Sequence, residues 1–192
     1  MLIVFEWTQS QEAVRPYFSD ILTDIDQPRL FAINTTLSVF LLGATSLCFL
    51  CALSNRTTPF RHLLFYFSQA SLFAYLCFDD RFKVHELLGV RFNVDDHYVL
   101  LFLGGAELLC LWFLGEDFIQ KPLVFLSLLV ASALFAVMIL FDGFMPHDMV
   151  LRLSIEDLAK VWSGLAFLVF GWAVLKAQVD GESANANCPD TR

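Results

Sequence analysis

The chain has 192 residues, of which 57% are apolar and 17% are charged, and its formal net charge at pH 7 is −8. Its mean hydropathy of +0.63 excludes an ordinary soluble domain, because a water-exposed surface needs more polar side chains than this composition supplies. The acidic balance and the lack of a Lys/Arg cluster also argue against nucleic acid as a partner and against docking on anionic lipid.

Long unbroken apolar runs predict an all-α fold, a polytopic transmembrane helical bundle of about five spans. Backbone groups find no water in the hydrocarbon layer, so only helices or closed barrels can cross it, and unbroken runs lack the alternation of barrel strands. We expect an N-terminal amphipathic segment over residues 1–29, the transmembrane bundle over 30–177 and a disordered tail over 178–192.

The N-terminal segment contains the pattern of one amphipathic helix. Apolar side chains recur at steps of three and four residues from Val14 to Ile25, opposite Ser19 and Asp20, and Pro28 ends the pattern. Because its polar face is acidic, we expect this helix to pack on the bundle or on a partner subunit rather than on lipid headgroups.

Five apolar segments then approach the roughly 20 residues that a helix needs to cross a bilayer. In chain order they cover residues 30–53, a segment that begins near 62, and residues 98–114, 122–141 and 158–176. Five spans place the two termini on opposite sides of the membrane. The small Lys/Arg bias of the loops favours a cytoplasmic position for the connection Asn55–Arg61.

The sequence of the second span predicts a helix that continues beyond the membrane surface. Its polar residues lie at helical spacing, and Gly89 is a natural C-terminal cap. A helix that stopped at Phe78 would leave Asp79 at the negative end of the helix dipole. We therefore expect one helix as far as about Leu88, with Asp79 on one face and His85 on another.

Residues with recognisable chemistry gather where the second span ends, the third begins, the fourth ends and the fifth begins. Carboxylates and imidazoles in one cluster can bind a divalent cation such as Mg²⁺, Mn²⁺, Fe²⁺ or Zn²⁺, or can relay protons. The residues that we predict for this site are Asp79, Asp80, His85, Glu86, Glu107, Asp142, His147 and Glu156.

The same residues also have structural interpretations. Asp79 and Lys83 are spaced for an ion pair at a solvated helix end, and Glu156 and Lys160 are spaced for another. Ser154 fits the cap of the fifth span. The sequence alone leaves both interpretations open.

Glu107 lies near the middle of the third span, just after Gly104 and Gly105. A carboxylate that faced lipid at this depth would cost about 2.5–3.5 kcal/mol, so we expect it to turn toward polar residues of the second span such as Gln69 or Tyr75. The two glycines would let another helix approach closely. Glu107 is either part of a functional site or a protonated acid with a structural hydrogen bond.

The run from Asp79 to Glu86 consists of two acids, four further residues and His-Glu at the end of a span. It resembles a motif of uncharacterised multi-pass membrane proteins of bacteria. The resemblance implies a bacterial inner-membrane setting and emphasises Asp79, Asp80, His85 and Glu86. It implies no particular activity.

Two classes of function follow from these patterns. The first is a small integral membrane protein whose acidic and histidine site binds a cation or relays protons, including a metal-dependent membrane enzyme. The second is a non-enzymatic homo-oligomeric ion channel, or an accessory subunit of a membrane complex, whose acids make interface contacts. The expected partners are the lipid bilayer and either further copies of the chain or other subunits.

Overall fold

The computed structural model describes residues 33–54, 59–146 and 152–186, and within these ranges the chain is helical and has no strand. The prediction of an all-α fold is confirmed. In chain order the helices are α1 (Ile33–Leu53), α2 (Phe60–Phe82), α3 (Val84–Phe92), α4 (Asp96–Leu114), α5 (Glu116–Ile119), α6 (Pro122–Gly143) and α7 (Arg152–Ala186).

Three helices of the described ranges are long and apolar enough to cross a membrane. They are α1, α6 and the part of α7 from Ser154 to Asp180. In α4 the apolar stretch Tyr98–Leu114 is shorter, and α2 has 23 residues but carries more polar side chains. The described part of the chain is therefore all helical and contains three candidate membrane spans.

The core forms where α1 packs between α2 and α7, and α7 also packs along α6. Phe49 of α1 lies at its centre, with the rings of Phe65, Phe73 and Phe170 at centroid distances of 6.1, 5.8 and 5.5 Å. All four side chains are almost completely buried. Aromatic contacts of this kind add about 0.5–1.5 kcal/mol per pair to the effect of burial.

Glycines of α7 allow its close approach to α1. A Cβ atom on Gly164 would lie 3.3 Å from Leu41, and one on Gly171 would lie 3.2 Å from Thr45. A larger side chain at either level would push the helices apart. Small residues at helix contacts are typical of membrane proteins, where close van der Waals packing drives helix association.

In contrast, α4 is only partly covered by its neighbours α2, α3 and α6. Phe102 and Trp112 on its outer side are 78% and 79% exposed. A Cβ atom on Gly104 or Gly105 would meet nothing within 4 Å. The close helix approach predicted at these glycines therefore does not occur within the described part of the chain.

The prediction of one helix continuing from the second span to Leu88 is wrong. α2 ends at Phe82, Lys83 adopts a left-handed conformation (φ 52°, ψ 46°), and α3 follows directly. The turn brings the N-terminus of α3 to Asp79, whose carboxylate accepts a hydrogen bond from the backbone N–H of His85 at 2.6 Å. A negative charge stabilises a helix N-terminus, so the contact of Asp79 with the start of α3 offsets its unfavourable position near the C-terminus of α2.

Gly89 is also not the cap that its position suggested. It lies inside α3 and is buried, and α3 ends at Asn93 in a second left-handed conformation (φ 53°, ψ 45°). Lys83 and Asn93 are the two non-glycine residues with positive φ among the described residues. α3 is thus a separate element between two sharp turns.

The prediction of a disordered tail over residues 178–192 is wrong for residues 178–186, because α7 continues to Ala186. Gln178 donates an amide hydrogen to the carbonyl oxygen of Ala52 at 3.1 Å, which ties the extension to the end of α1. Its Gln, Ala and Glu residues also favour a helix. The amphipathic helix predicted within residues 1–29 lies outside the described residues, as do residues 187–192.

Candidate functional site

Helix ends converge at one end of the bundle, as the sequence predicted. Asn34 of α1 donates a hydrogen bond to Asp157 of α7 at 3.2 Å. Asp80 of α2 forms an ion pair with Lys160 of α7, and Arg152 joins the start of α7 to the end of α6. We call this region the charged end of the bundle.

Asp79 and His85 form a buried pair at the junction of α2 and α3. Besides the backbone hydrogen bond, Oδ2 of Asp79 lies 2.8 Å from Nδ1 of His85. The side chains are only 5% and 15% exposed. The prediction that His85 faces away from Asp79 is wrong, because the left-handed turn at Lys83 directs the imidazole back toward the end of α2.

Asp80 is held by Lys160, and its side chain is only 7% exposed. Its second oxygen is buried and has no hydrogen-bond partner within the described ranges. Glu86 pairs with Lys83 at 2.9 Å, and both of these side chains are partly exposed. Lys83 thus pairs with Glu86, whereas the sequence suggested a pair between Lys83 and Asp79.

Arg152 brings Asp142 and Glu156 together. Its guanidinium donates hydrogen bonds to the carbonyl oxygens of Phe141 and Asp142 at 2.8 and 2.7 Å, which caps the C-terminus of α6. The carboxylates of Asp142 and Glu156 lie 3.5 and 3.8 Å from the same group. Glu156 thus lies beside Arg152, and Lys160, which the sequence suggested as its partner, forms an ion pair with Asp80.

Asn34, Arg152 and Lys160 lie at the charged end but were not among the predicted site residues. Asn34 carries no charge that would mark it, and the two cations resemble ordinary basic residues near loops. The signal that could have identified them is charge balance, because carboxylates that become buried need cations or hydrogen-bond donors nearby.

Glu107 contacts α2 at a deeper level. Nε2 of Gln69 donates a hydrogen bond to Oε1 of Glu107 at 2.5 Å, and Gln69 is completely buried. The prediction that Glu107 turns toward Gln69 is confirmed. Gln69 precedes Asp79 by ten residues, or about 15 Å along a helix, so Glu107 lies apart from the charged end.

One atom in this deeper pair has no partner. Oε1 of Gln69 is buried and accepts no hydrogen bond from a described residue. A carboxylic acid and a primary amide can form two hydrogen bonds side by side, one in each direction. A protonated Glu107 would supply the donor that Gln69 lacks.

The predicted metal ligands do not assemble around a common point. The described part of the chain has no group of three or more His, Cys, Asp or Glu side chains placed to hold a metal ion. Asp79, Asp80, Glu86 and Glu107 each have a protein partner, and Asp142 shares Arg152 with the remaining acid Glu156. His147 lies outside the described residues.

Comparison with known proteins gives a family but no activity. Neither the curated proteins nor the solved structures include a match to this chain. A family model described as a domain of unknown function, DUF8692, matches residues 2–176, a range that contains all the residues of the predicted site. The chain therefore belongs to the DUF8692 family.

Proposed function

We propose that this chain is an integral membrane protein that relays protons across the bilayer by way of a carboxylate inside its helical bundle. In this proposal α1, α2, α4, α6 and α7 all cross the bilayer. The 23 residues of α2 extend about 34 Å and the 19 residues of α4 about 28 Å, against a hydrocarbon thickness of about 30 Å. The resemblance of the run Asp79–Glu86 favours the bacterial inner membrane.

The Gln69–Glu107 pair is the observation that carries the proposal. A buried acceptor without a donor costs about 1–3 kcal/mol, and one proton on Glu107 would remove that cost. When the proton leaves, the amide N–H of Gln69 still contacts the carboxylate. The pair can therefore hold Glu107 in either protonation state, as a proton-binding site must.

The Asp79–His85 pair provides the entrance. Imidazole exchanges protons readily near neutral pH, and a carboxylate against one ring nitrogen orients the ring and stabilises its protonated form. Tyr75 lies one turn deeper on α2 and is half-buried. Its hydroxyl can donate and accept hydrogen bonds, so it is the intermediate station between the surface pair and Glu107.

The partners of the acids favour protons over a divalent metal as the transported or bound species. Lys160 and Arg152 already supply positive charge to Asp80, Asp142 and Glu156. A metal ion among these residues would have to displace or approach permanent cations, which is electrostatically unfavourable. A proton needs only one acceptor and a hydrogen-bond partner.

Proton flux into liposomes tests this proposal. Purified protein is reconstituted around a pH-sensitive dye, and a membrane potential drives protons inward. The wild type should acidify the lumen faster than empty liposomes, while Glu107→Gln and Asp79→Asn should lose most of that difference. Asp117→Asn is the matched control, because Asp117 also pairs with an imidazole, that of His62, but at the opposite end of the bundle.

Two results would contradict the proposal. Wild-type flux equal to that of empty liposomes would refute proton relay. Equal flux in the wild type and in both site variants would show that protons take another route.

A homo-oligomeric channel or accessory subunit is the second candidate, and the uncovered surface of α4 favours it. Gly104 and Gly105 are exposed, and a Cβ atom on either would meet nothing within 4 Å. Glycines on a membrane helix are typical of helix–helix interfaces. The molecular mass in detergent tests it. A defined oligomer that Gly105→Leu converts to a monomer would support this candidate, and a monomeric wild type would exclude it under those conditions.

A further inference from the structure

We propose that α3 lies in the interface between membrane and water and binds the lipid surface. Lys83 and Asn93 bound this nine-residue helix, both in the left-handed conformation. That conformation is unfavourable for residues with a Cβ atom and interrupts a right-handed helix. Because a left-handed residue stands at each end of α3, the chain turns there instead of continuing along the axis of α2.

The side chains of α3 and of the turn after it divide between the bundle and the outside. Gly89 is buried and His85 is largely covered. On the outer side Leu87 and Val90 are three residues apart, the spacing of one helix face, and Val94 follows in the turn after α3. The apolar side chains left uncovered here are Leu87, Val90, Phe92 and Val94, with exposures of 66, 85, 70 and 46%.

This apolar strip continues onto neighbouring helices. Phe78 and Phe82 in the last turns of α2 stack with a centroid distance of 6.0 Å and are 62% and 51% exposed. Tyr98 at the start of α4 is 52% exposed. Aromatic side chains at the ends of membrane helices are typical of the headgroup level.

Arg91 supplies the polar part of a lipid contact. It is exposed and follows Leu87 by four residues, so the two side chains share a face of α3. A long arginine can lay its methylene groups along apolar surface while its guanidinium reaches lipid phosphates. One face of α3 thus combines an apolar surface with a cation.

Lipid fits this face better than a protein partner does. A protein bound to α3 alone would bury less than the roughly 800 Å² per side of a stable protein interface. The strip is also continuous with the outer surfaces of α2 and α4. In the proposed bundle these surfaces face lipid, so the strip faces lipid as well. The inference depends on the bundle lying in a membrane but not on proton movement.

Fluorescence quenching tests the position of α3. Val90→Cys is introduced into a chain whose five native cysteines are replaced by serine, and the thiol carries an environment-sensitive fluorophore. The protein is reconstituted in liposomes of phosphatidylcholine and phosphatidylglycerol. Quenching is then measured with iodide in the water and with nitroxide lipids labelled near the glycerol or near the chain end. Leu87→Cys serves as a second labelling position if the first variant loses its helical circular dichroism.

The expected result is a label that the shallow nitroxide quenches best, with iodide quenching several-fold weaker than at Asp117→Cys. A control label at Leu129→Cys, an exposed position within α6, should be quenched best by the deep nitroxide. Iodide quenching at position 90 as strong as at position 117 would overturn the inference. Self-quenching that rises with protein density would also overturn it, because a second copy would then cover α3.

Discussion

Carboxylates of this protein are stabilised by donors that come from other helices. Asp80 of α2 meets Lys160 of α7, and Glu107 of α4 meets Gln69 of α2. Such contacts form only when the helices are packed together, because the residues are far apart in the chain. The cost of removing a donor therefore depends on how deeply the remaining carboxylate is buried.

Gln69 and Glu107 give the first prediction. Glu107→Gln should change the free energy of unfolding in detergent by less than about 1 kcal/mol, because an amide can replace both hydrogen bonds of a protonated acid. Gln69→Leu should cost more, about 1–3 kcal/mol, because it leaves the carboxyl group of Glu107 without its donor. Equal losses in the two variants would contradict the proposed pairing.

Lys160 gives a second prediction. Lys160→Met should destabilise the protein by about 3–5 kcal/mol, because the buried carboxylate of Asp80 would lose its cation. Lys83→Met is the matched control, since the pair of Lys83 with Glu86 is partly exposed and such pairs contribute about 0–1 kcal/mol. Denaturation of both variants in the same detergent compares them. Similar losses would show that Asp80 does not depend on Lys160.

At the scale of the helices, local sequence patterns predicted some parts of the fold and site but not others. Apolar runs and their polar ends predicted the helices and the convergence at the charged end, because both depend on local pattern and on the alternating direction of successive spans. The break at Lys83 was not predictable in the same way. It is stabilised by the contact of Asp79 with His85, which exists only after the chain has turned.

Packing between α1 and α7 gives a third prediction. Gly171→Leu should destabilise the bundle by at least about 1–3 kcal/mol, the usual cost of overpacking, because even a Cβ atom there lies 3.2 Å from Thr45 and 3.3 Å from Cys48. Gly105→Leu should leave folding of the single chain unchanged, since its Cβ position is open. Thermal unfolding of the two variants in detergent measures the difference. A more damaging change at Gly105 would place the critical helix contact on α4.

The short helix α5 gives a prediction about pH. A hydrogen bond from His62 is the main cause that lowers the pKa of the Asp117 carboxyl group below its ordinary value. The ionised form is thus favoured in the folded state, so the contribution to stability is present above the ordinary pKa and is lost as pH falls through the lowered pKa. The stability difference between wild type and Asp117→Asn should therefore vanish in acid. Because Asp117 is exposed, the difference should be small and should shrink with salt. A difference that grows in acid would contradict this account.

At the scale of the whole molecule, the buried ion pairs of the described residues lie at the charged end, and among these residues one carboxylate, that of Glu107, lies deeper in the apolar bundle. Ionisable residues of membrane helices usually face the interior of the bundle, because a charge that faces lipid is energetically unfavourable. The sequence identified Glu107 for this reason. It also suggested Gln69 as a partner, but it did not predict that the amide oxygen of Gln69 would be buried without a donor, since that detail depends on the packing of α2 against α4.

Infrared difference spectroscopy tests the central claim most directly, because it detects protonation of Glu107 itself. Spectra of the reconstituted protein are recorded as the external pH is changed in both directions. Proton binding by Glu107 predicts a carbonyl stretching band of a protonated carboxylic acid that disappears and returns with pH in the wild type, shifts in Gln69→Leu and is missing in Glu107→Gln. A wild-type spectrum without a reversible band, or a band that persists unchanged in Glu107→Gln, would contradict it.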